Sequence, residues 1–240
     1  MKKVLITGGT GGIGSELARK FNSNGHYVII SGRNPDKFEK KHFKNPLKAE
    51  FFKCDISKIG DLKKNLTKLQ FKHESIDILI NNAGITQDSL FMRMDLQKWN
   101  EVIKTNLDAT FVITNFFIKK MIKNKWGRVI NITSVVGHTG NIGQANYCAS
   151  KMGIVGMSKS IALEVAKRGI TVNCISPGFI DTKMTDDLDP KIKQTILEKI
   201  PLGRMGLPKH IADCAFFIAS KESEYITGQT FHVNGGLTMI

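Results

Sequence analysis

Apolar positions in this chain fall into two alternating patterns. Short unbroken runs such as Val4-Leu5-Ile6, Val28-Ile29-Ile30 and Ile78-Leu79-Ile80 suit strands covered on both faces. Between them lie longer stretches whose apolar residues recur at helical spacing. The pattern predicts strands at Lys3–Thr7, Tyr27–Ser31, Phe51–Lys53, Asp77–Asn81, Arg128–Thr133, Thr171–Ile175 and Thr230–Val233. Helices are predicted at Gly12–Asn24, Lys58–Phe71, Asp95–Lys123, Ala145–Arg168, Pro190–Lys199 and Pro208–Ser220. Gly169 is placed to end the helix before it, and Pro177-Gly178 breaks the chain after the sixth strand. Strands that alternate with helices imply an α/β fold, a doubly wound seven-stranded parallel sheet with right-handed crossovers and helices on both faces. Ligands of such sheets bind beyond the carboxyl ends of the strands. The loops starting at Gly8, Gly32, Asn82, Ser134 and Pro177 are therefore expected to converge on one crevice.

Composition narrows this little further. A chain of 240 residues, 41% hydrophobic and 23% charged, can bury one substantial core, which excludes disorder and small disulfide scaffolds. No apolar run approaches the roughly 20 residues that span a bilayer. Val4-Leu5-Ile6 is too short for a signal-peptide core, so no secretory leader and a cytoplasmic setting are expected. Cys54, Cys148, Cys174 and Cys214 form no CxxC, which points to free thiols and no structural metal. The net charge of +14 favours an anionic partner. Lysines from Lys37 to Lys48 and Lys119 to Lys125 equally suit solvated surfaces. No basic stretch is interleaved with aromatics in the manner of a nucleic-acid module, and no membrane partner is expected.

The first strand runs into Thr7-Gly8-Gly9-Thr10-Gly11-Gly12-Ile13-Gly14 and then into a helix. Glycines let the backbone turn tightly against a pyrophosphate, and the helix N-terminus offers free N–H groups. Gly8, Thr10, Gly12, Ile13 and Gly14 are the candidate dinucleotide contacts. At the end of the second strand, an acidic residue would read ribose hydroxyls and an arginine a 2′-phosphate. Here the chain reads Ser31-Gly32-Arg33-Asn34, so Arg33 points to NADPH (NADP+ when oxidised). Asp55 and Ile56 are placed to meet the adenine, although Asp55 equally suits a helix N-cap.

Tyr147 and Lys151 share one helix face a turn apart. Lowering a tyrosine pKa from ~10 by about 3 pH units takes ~4 kcal/mol. A cation about 4 Å away at an effective dielectric of ~20 supplies that much. The spacing thus predicts a phenol made acidic by Lys151. Chance produces Tyr-x-x-x-Lys often, so its place downstream of Ser134 is what gives it weight.

Taken together these residues resemble the short-chain dehydrogenase/reductase family. TGGTGGIG (7–14), NNAG (81–84), Asn106, Ser134, Tyr147-x-x-x-Lys151 and Pro177-Gly178 follow its order from Val4 to Gly236. AGITQDSLFMRM (83–94), GNIGQANYCASK (140–151), PGFIDTKMT (177–185) and ITGQTFHVNGG (226–236) resemble members that reduce 3-oxoacyl groups carried on acyl carrier protein. The resemblance implies one Rossmann-fold domain over 1–240, with a cofactor half roughly 1–135 and a catalytic and substrate half roughly 136–240. It implies that Tyr147 protonates the keto oxygen, Ser134 orients it, Lys151 holds the nicotinamide ribose and lowers the tyrosine pKa, and Asn106 positions a relay water. Asn82, Ala83 and Gly84 would line the adenosine ribose, and Pro177, Gly178, Ile180 and Thr182 the nicotinamide. Asn81 would brace the sheet, and Met184 to Leu188 would form a substrate lid. Arg128 and Arg168 would dock the acidic carrier protein, and the assembly would be a homotetramer packed through Phe111–Ile118 and Gly153–Ile161. Gly11 stands where many members carry arginine, and His138 has no assigned role. Reduction of acyl-CoA or another small carbonyl, and a non-catalytic NADP-binding sensor, remain open alternatives.

Overall fold

A computed structural model describes residues 1–182 and 190–240. The strands are β1 (Lys3–Thr7), β2 (Tyr27–Gly32), β3 (Ala49–Lys53), β4 (Ile78–Asn81), β5 (Gly127–Ile132), β6 (Ile170–Pro177) and β7 (Thr230–Val233). They form a seven-stranded sheet in the order β3-β2-β1-β4-β5-β6-β7. Every pairing is parallel. The helices are α1 (Gly12–Ser23), α2 (Ile59–His73), α3 (Leu96–Ile103), α4 (Ala109–Asn124), α5 (Val135–Thr139), α6 (Ala145–Val165), α7 (Pro190–Lys199) and α8 (Pro208–Ala219).

Successive strand residues point to opposite faces, and the core divides accordingly. Val4, Ile6, Val28 and Ile30 pack with Leu17 and Phe21 of α1 and Ile211 and Ile218 of α8. Leu5, Ile29, Leu79 and Val129 pack with Leu66 of α2, Phe117 of α4 and Val165 of α6. Two helix layers therefore cover a sheet that is apolar on both sides. The expected fold class is present.

Three local expectations change. The third strand starts at Ala49 rather than Phe51, because Ala49 and Glu50 already pair with Val28 and Ile29 of β2; three short 3-10 turns fill the connection before it. The helix expected from Asp95 to Lys123 is interrupted by a five-residue π turn, Lys104–Asp108. Its wide turn carries Asn106, whose carbonyl accepts the Thr110 hydroxyl at 2.6 Å. A short helix, α5, follows Ser134 where a loop was expected. Gly169 ends the α6 region with φ 74 as anticipated, after a 3-10 turn at Ala166–Arg168. Asn81 does brace the sheet, donating to Thr114 Oγ1 at 3.0 Å and Asn131 Oδ1 at 2.8 Å.

Candidate functional site

The five strand-end loops meet in one crevice beyond the carboxyl edge of the sheet. The glycine turn, Arg33, Asp55, Ile56, Asn82 to Gly84, Ser134, Tyr147, Lys151, Pro177 to Ile180 and Thr182 all border it. Thr7 fixes the loops after β1 and β4 together. Its hydroxyl accepts the backbone N–H groups of Asn82 and Ala83, each at 3.0 Å. Asn82 returns the contact through Nδ2, donating to Thr7 O at 3.0 Å and Gly8 O at 3.1 Å. Its side chain is thus a brace, which leaves backbone to line the crevice. A Cβ on Gly14 would lie 2.7 Å from Asn82 Nδ2 and 2.8 Å from Gly9 Cα, so only glycine lets α1 start this close to the loop. No side chain caps α1 and none in its first turn is acidic. Its free N–H groups and positive dipole end fit a pyrophosphate.

Arg33 is exposed at the rim. Asp55 is committed locally, accepting Ser57 N at 3.1 Å and Ser57 Oγ at 2.7 Å. Partial burial opposes its charge, but the Ser57 hydrogen bonds and the nearby Arg33 hold the carboxyl below its ordinary range. Lys37, one short turn beyond Arg33, borders the same crevice, where the sequence suggested only a solvated lysine. Among the described residues, nothing lies within 4 Å of a Cβ on Gly11. The donor set thus suits a phosphorylated dinucleotide. Thr182 closes the far side, its methyl 3.4 Å from the Gly12 Cβ position. Ile180 packs its side chain into the core beside α8. Met184 to Leu188 fall outside the described residues.

At the other end, Ser134 follows β5 as the residue before α5, and its hydroxyl does not cap that helix. It hydrogen-bonds Tyr147 instead. Lys151 is 4% exposed. Its Nζ donates to Ile132 O at 2.9 Å and stands 5.4 Å from the centre of the Tyr147 ring. Asn106 is buried and does not border the crevice. Both of its N–H donors are used, on Ile85 O at 3.0 Å and Ser150 Oγ at 3.1 Å, while Oδ1 accepts Ile85 N at 2.9 Å. That side chain clamps the loop after β4 rather than presenting a free donor to a water.

The electrostatics correct the sequence argument. Burial pushes the Tyr147 phenol up to about 12 against the opposing Ser134 hydrogen bond. Burial also pulls the Lys151 ammonium down to about 8. Lys151 therefore titrates below Tyr147, and near neutral pH both groups hold their protons. Near neutral pH the phenol is a held proton, not a base.

The docking expectation for Arg128 also fails. Arg128 is 3% exposed, with Nη1 donating to Gly127 O at 2.9 Å and Gly169 O at 3.3 Å, and its guanidinium lies over Trp126. It is the second residue of β5, so nearly the whole strand, ~20 Å for six residues, separates it from Ser134. Arg168 is exposed but precedes β6 at that same far edge. His138 meets His232 edge-on, with ring centres 4.7 Å apart.

Comparison with known proteins agrees with this geometry. A family model described as Enoyl-(Acyl carrier protein) reductase matches residues 8–238. The chain is 49% identical over 238 residues to 3-oxoacyl-[acyl-carrier-protein] reductase FabG of Rickettsia bellii, covering 98% of this chain and 96% of that protein. It is 46% identical over 239 residues to Nodulation protein G of Rhizobium sp., covering 100% and 98%. It is 45% identical over 240 residues to 3-oxoacyl-[acyl-carrier-protein] reductase FabG of Aquifex aeolicus, covering 98% and 97%.

Proposed function

From the premise that this chain belongs to the short-chain dehydrogenase/reductase family, we propose that it reduces 3-oxoacyl-[acyl-carrier-protein] to the 3-hydroxyacyl form with NADPH during fatty acid elongation. The observation that carries the reading is the shared crevice: an uncapped helix N-terminus with Arg33 and Lys37 at one end, and Ser134, Tyr147 and Lys151 at the other. Whole-length relatives at 45–49% identity, named for this reduction, support the substrate class.

When bound, the reduced nicotinamide supplies the hydride. The chain supplies the proton and the geometry. Tyr147 carries a proton on Oη that an alkoxide, more basic than a phenolate, takes readily. Ser134 turns its one hydroxyl proton from Tyr147 to the keto oxygen and so fixes where that oxygen sits. Lys151 contributes a buried positive charge beside the developing negative one. A preorganised donor at such a position is worth about 10²–10³ in rate. Gly8, Gly12 and Gly14 admit the pyrophosphate, and Arg33 selects the 2′-phosphate. The carrier protein is the partner. Its docking face is not assigned to Arg128.

The assembly belongs to the same proposal. Phe111 of α4 is 53% exposed and Leu163 of α6 is 85% exposed. Paired across a homotetramer, those faces would be covered, which light scattering checks. Among the described residues no helix is long and apolar enough to cross a membrane, and the proposed setting is cytoplasmic.

The test is loss of NADPH absorbance with acetoacetyl-carrier protein, acetoacetyl-CoA and a polyol-derived ketone, beside Tyr147→Phe. Carrier-linked turnover that the variant abolishes supports the proposal. Equal rates on all carbonyls, or full activity in Tyr147→Phe, would overturn it.

A further inference from the structure

Resting on that reading, a residue outside the reacting set bears on the reaction. Asn146 is 0% exposed in the first turn of α6, immediately before Tyr147. Its Oδ1 accepts the Tyr147 backbone N–H at 2.7 Å. Its Nδ2 donates to Gln87 O at 3.0 Å and to Lys98 O at 3.3 Å. One amide therefore ties the helix that carries Tyr147 to the loop after β4 and to α3.

The first N–H groups of a helix have no partner within it. Gln144, at the cap position of α6, supplies no side-chain cap. Asn146 satisfies the donor of Tyr147 itself. The same loop is held on its other flank by Asn106, which joins Ile85 to Ser150 of α6. Ser89 N donating to Gly143 O at 2.8 Å adds a third tie. Gln144 Nε2 reaches both Asp88 oxygens, at 3.2 and 3.0 Å. Tyr147 thus sits between two buried amides that lock residues 85–89 against α6. The Asn146 position needs one acceptor and two donors at once. Aspartate lacks the donors, serine has one, and alanine has none.

We propose that Asn146 is a positioning residue, which sets the first turn of α6 so that the Tyr147 hydroxyl reaches Ser134 and the keto oxygen. A misplacement near 1 Å costs about 100-fold in such a step.

The experiment compares Asn146→Ala, Asn146→Asp and Tyr147→Phe in NADPH-dependent reduction of acetoacetyl-CoA. NADPH dissociation constants are measured by cofactor fluorescence in the absence of substrate. We expect kcat to fall about 10- to 100-fold in both Asn146 variants, with NADPH affinity kept within about twofold. A buried carboxyl facing two carbonyl oxygens is pushed upward in pKa and donates again once protonated. Asn146→Asp should therefore regain turnover as the pH is lowered from about 8 to about 6, whereas Asn146→Ala should not. Should the alanine variant fail to fold, the aspartate pH profile decides alone. Parental kcat in both variants, or NADPH affinity lost in step with kcat, overturns the proposal. Activity retained in Tyr147→Phe overturns the underlying reading instead.

Discussion

Replacing Lys151 by methionine tests whether the crevice stores an unfavourable charge. The ammonium is 4% exposed, and burial brings its pKa from 10.5 down to about 8. Each tenfold change in proton affinity is 1.36 kcal/mol, so this fall corresponds to roughly 3 kcal/mol against folding with the charge in place. Below pH 8 the folded and unfolded chains both carry the proton, and the cost is complete. Between about 8 and 10.5 the unfolded chain keeps a proton that the folded chain releases, so stability climbs with pH. Above that range neither state is charged, and the cost disappears. Methionine fills a similar volume without charge but forfeits the hydrogen bond to Ile132 O, which is worth about 1.5–3 kcal/mol for a charged donor. At neutral pH the two nearly cancel, and Lys151→Met should lie within about 1–2 kcal/mol of the parent. The difference between the proteins is the sharper quantity. In urea unfolding the parent should gain about 3 kcal/mol on Lys151→Met between pH 7.5 and 10.5, because the other groups titrate alike in both. A flat difference across that interval, or one that moves in favour of the variant, refutes the reasoning.

The phosphate end gives a second prediction: Gly11→Arg has open space to enter and should tighten NADPH, or 2′,5′-ADP, several-fold while leaving NADH unchanged. Arg33→Ala should weaken the phosphorylated ligands about 10- to 100-fold, a charge-assisted contact being worth about 1.5–3 kcal/mol, and Lys37→Ala less; calorimetric titration measures both. Thr7→Val orphans the N–H groups of Asn82 and Ala83. At about 1–3 kcal/mol each, that should lower Tm by about 5–15 °C by calorimetry. Arg128→Glu should lose stability and with it turnover of carrier-linked and free substrates alike, because the guanidinium is buried against Trp126. Arg168→Glu, exposed, should leave Tm within about 1 °C of the parent.

The sheet was legible because each strand obeys a simple rule: unbroken apolar runs such as Ile78-Leu79-Ile80 must be covered on both faces, and the helix pattern supplies the covers. The glycine turn was legible because Gly14 allows no side chain at all. What escaped is governed by long-range pairing. The π turn at Lys104–Asp108 has no local signature; it swings Asn106 onto Ile85, a residue outside its own helix. Asn146 reads in sequence as an ordinary polar helix residue, and only Gln87 and Lys98 reveal its work. Arg128 reads as a surface charge, yet Trp126 and the Gly169 carbonyl draw it inside. The Tyr147 argument counted attraction from Lys151 and left out the burial that both groups share, which proved the larger effect.

The order in which that pair loses protons also sets how the reduction rate depends on pH. With the phenol at about 12 and the ammonium at about 8, raising the pH strips Lys151 while Tyr147 remains protonated. Reduction needs the phenolic proton and the lysine charge together, and both are present at neutral pH. Alcohol oxidation needs the deprotonated phenol, which burial of Tyr147 disfavours. The free-enzyme profile of kcat/KM for NADPH should accordingly be level through neutrality and fall above about pH 8, where Lys151 becomes neutral. Arginine keeps its charge throughout this range, so whatever activity Lys151→Arg retains should lack that limb. A limb that persists near pH 8 in the arginine variant would assign it to another group and remove Lys151 from control of the reaction.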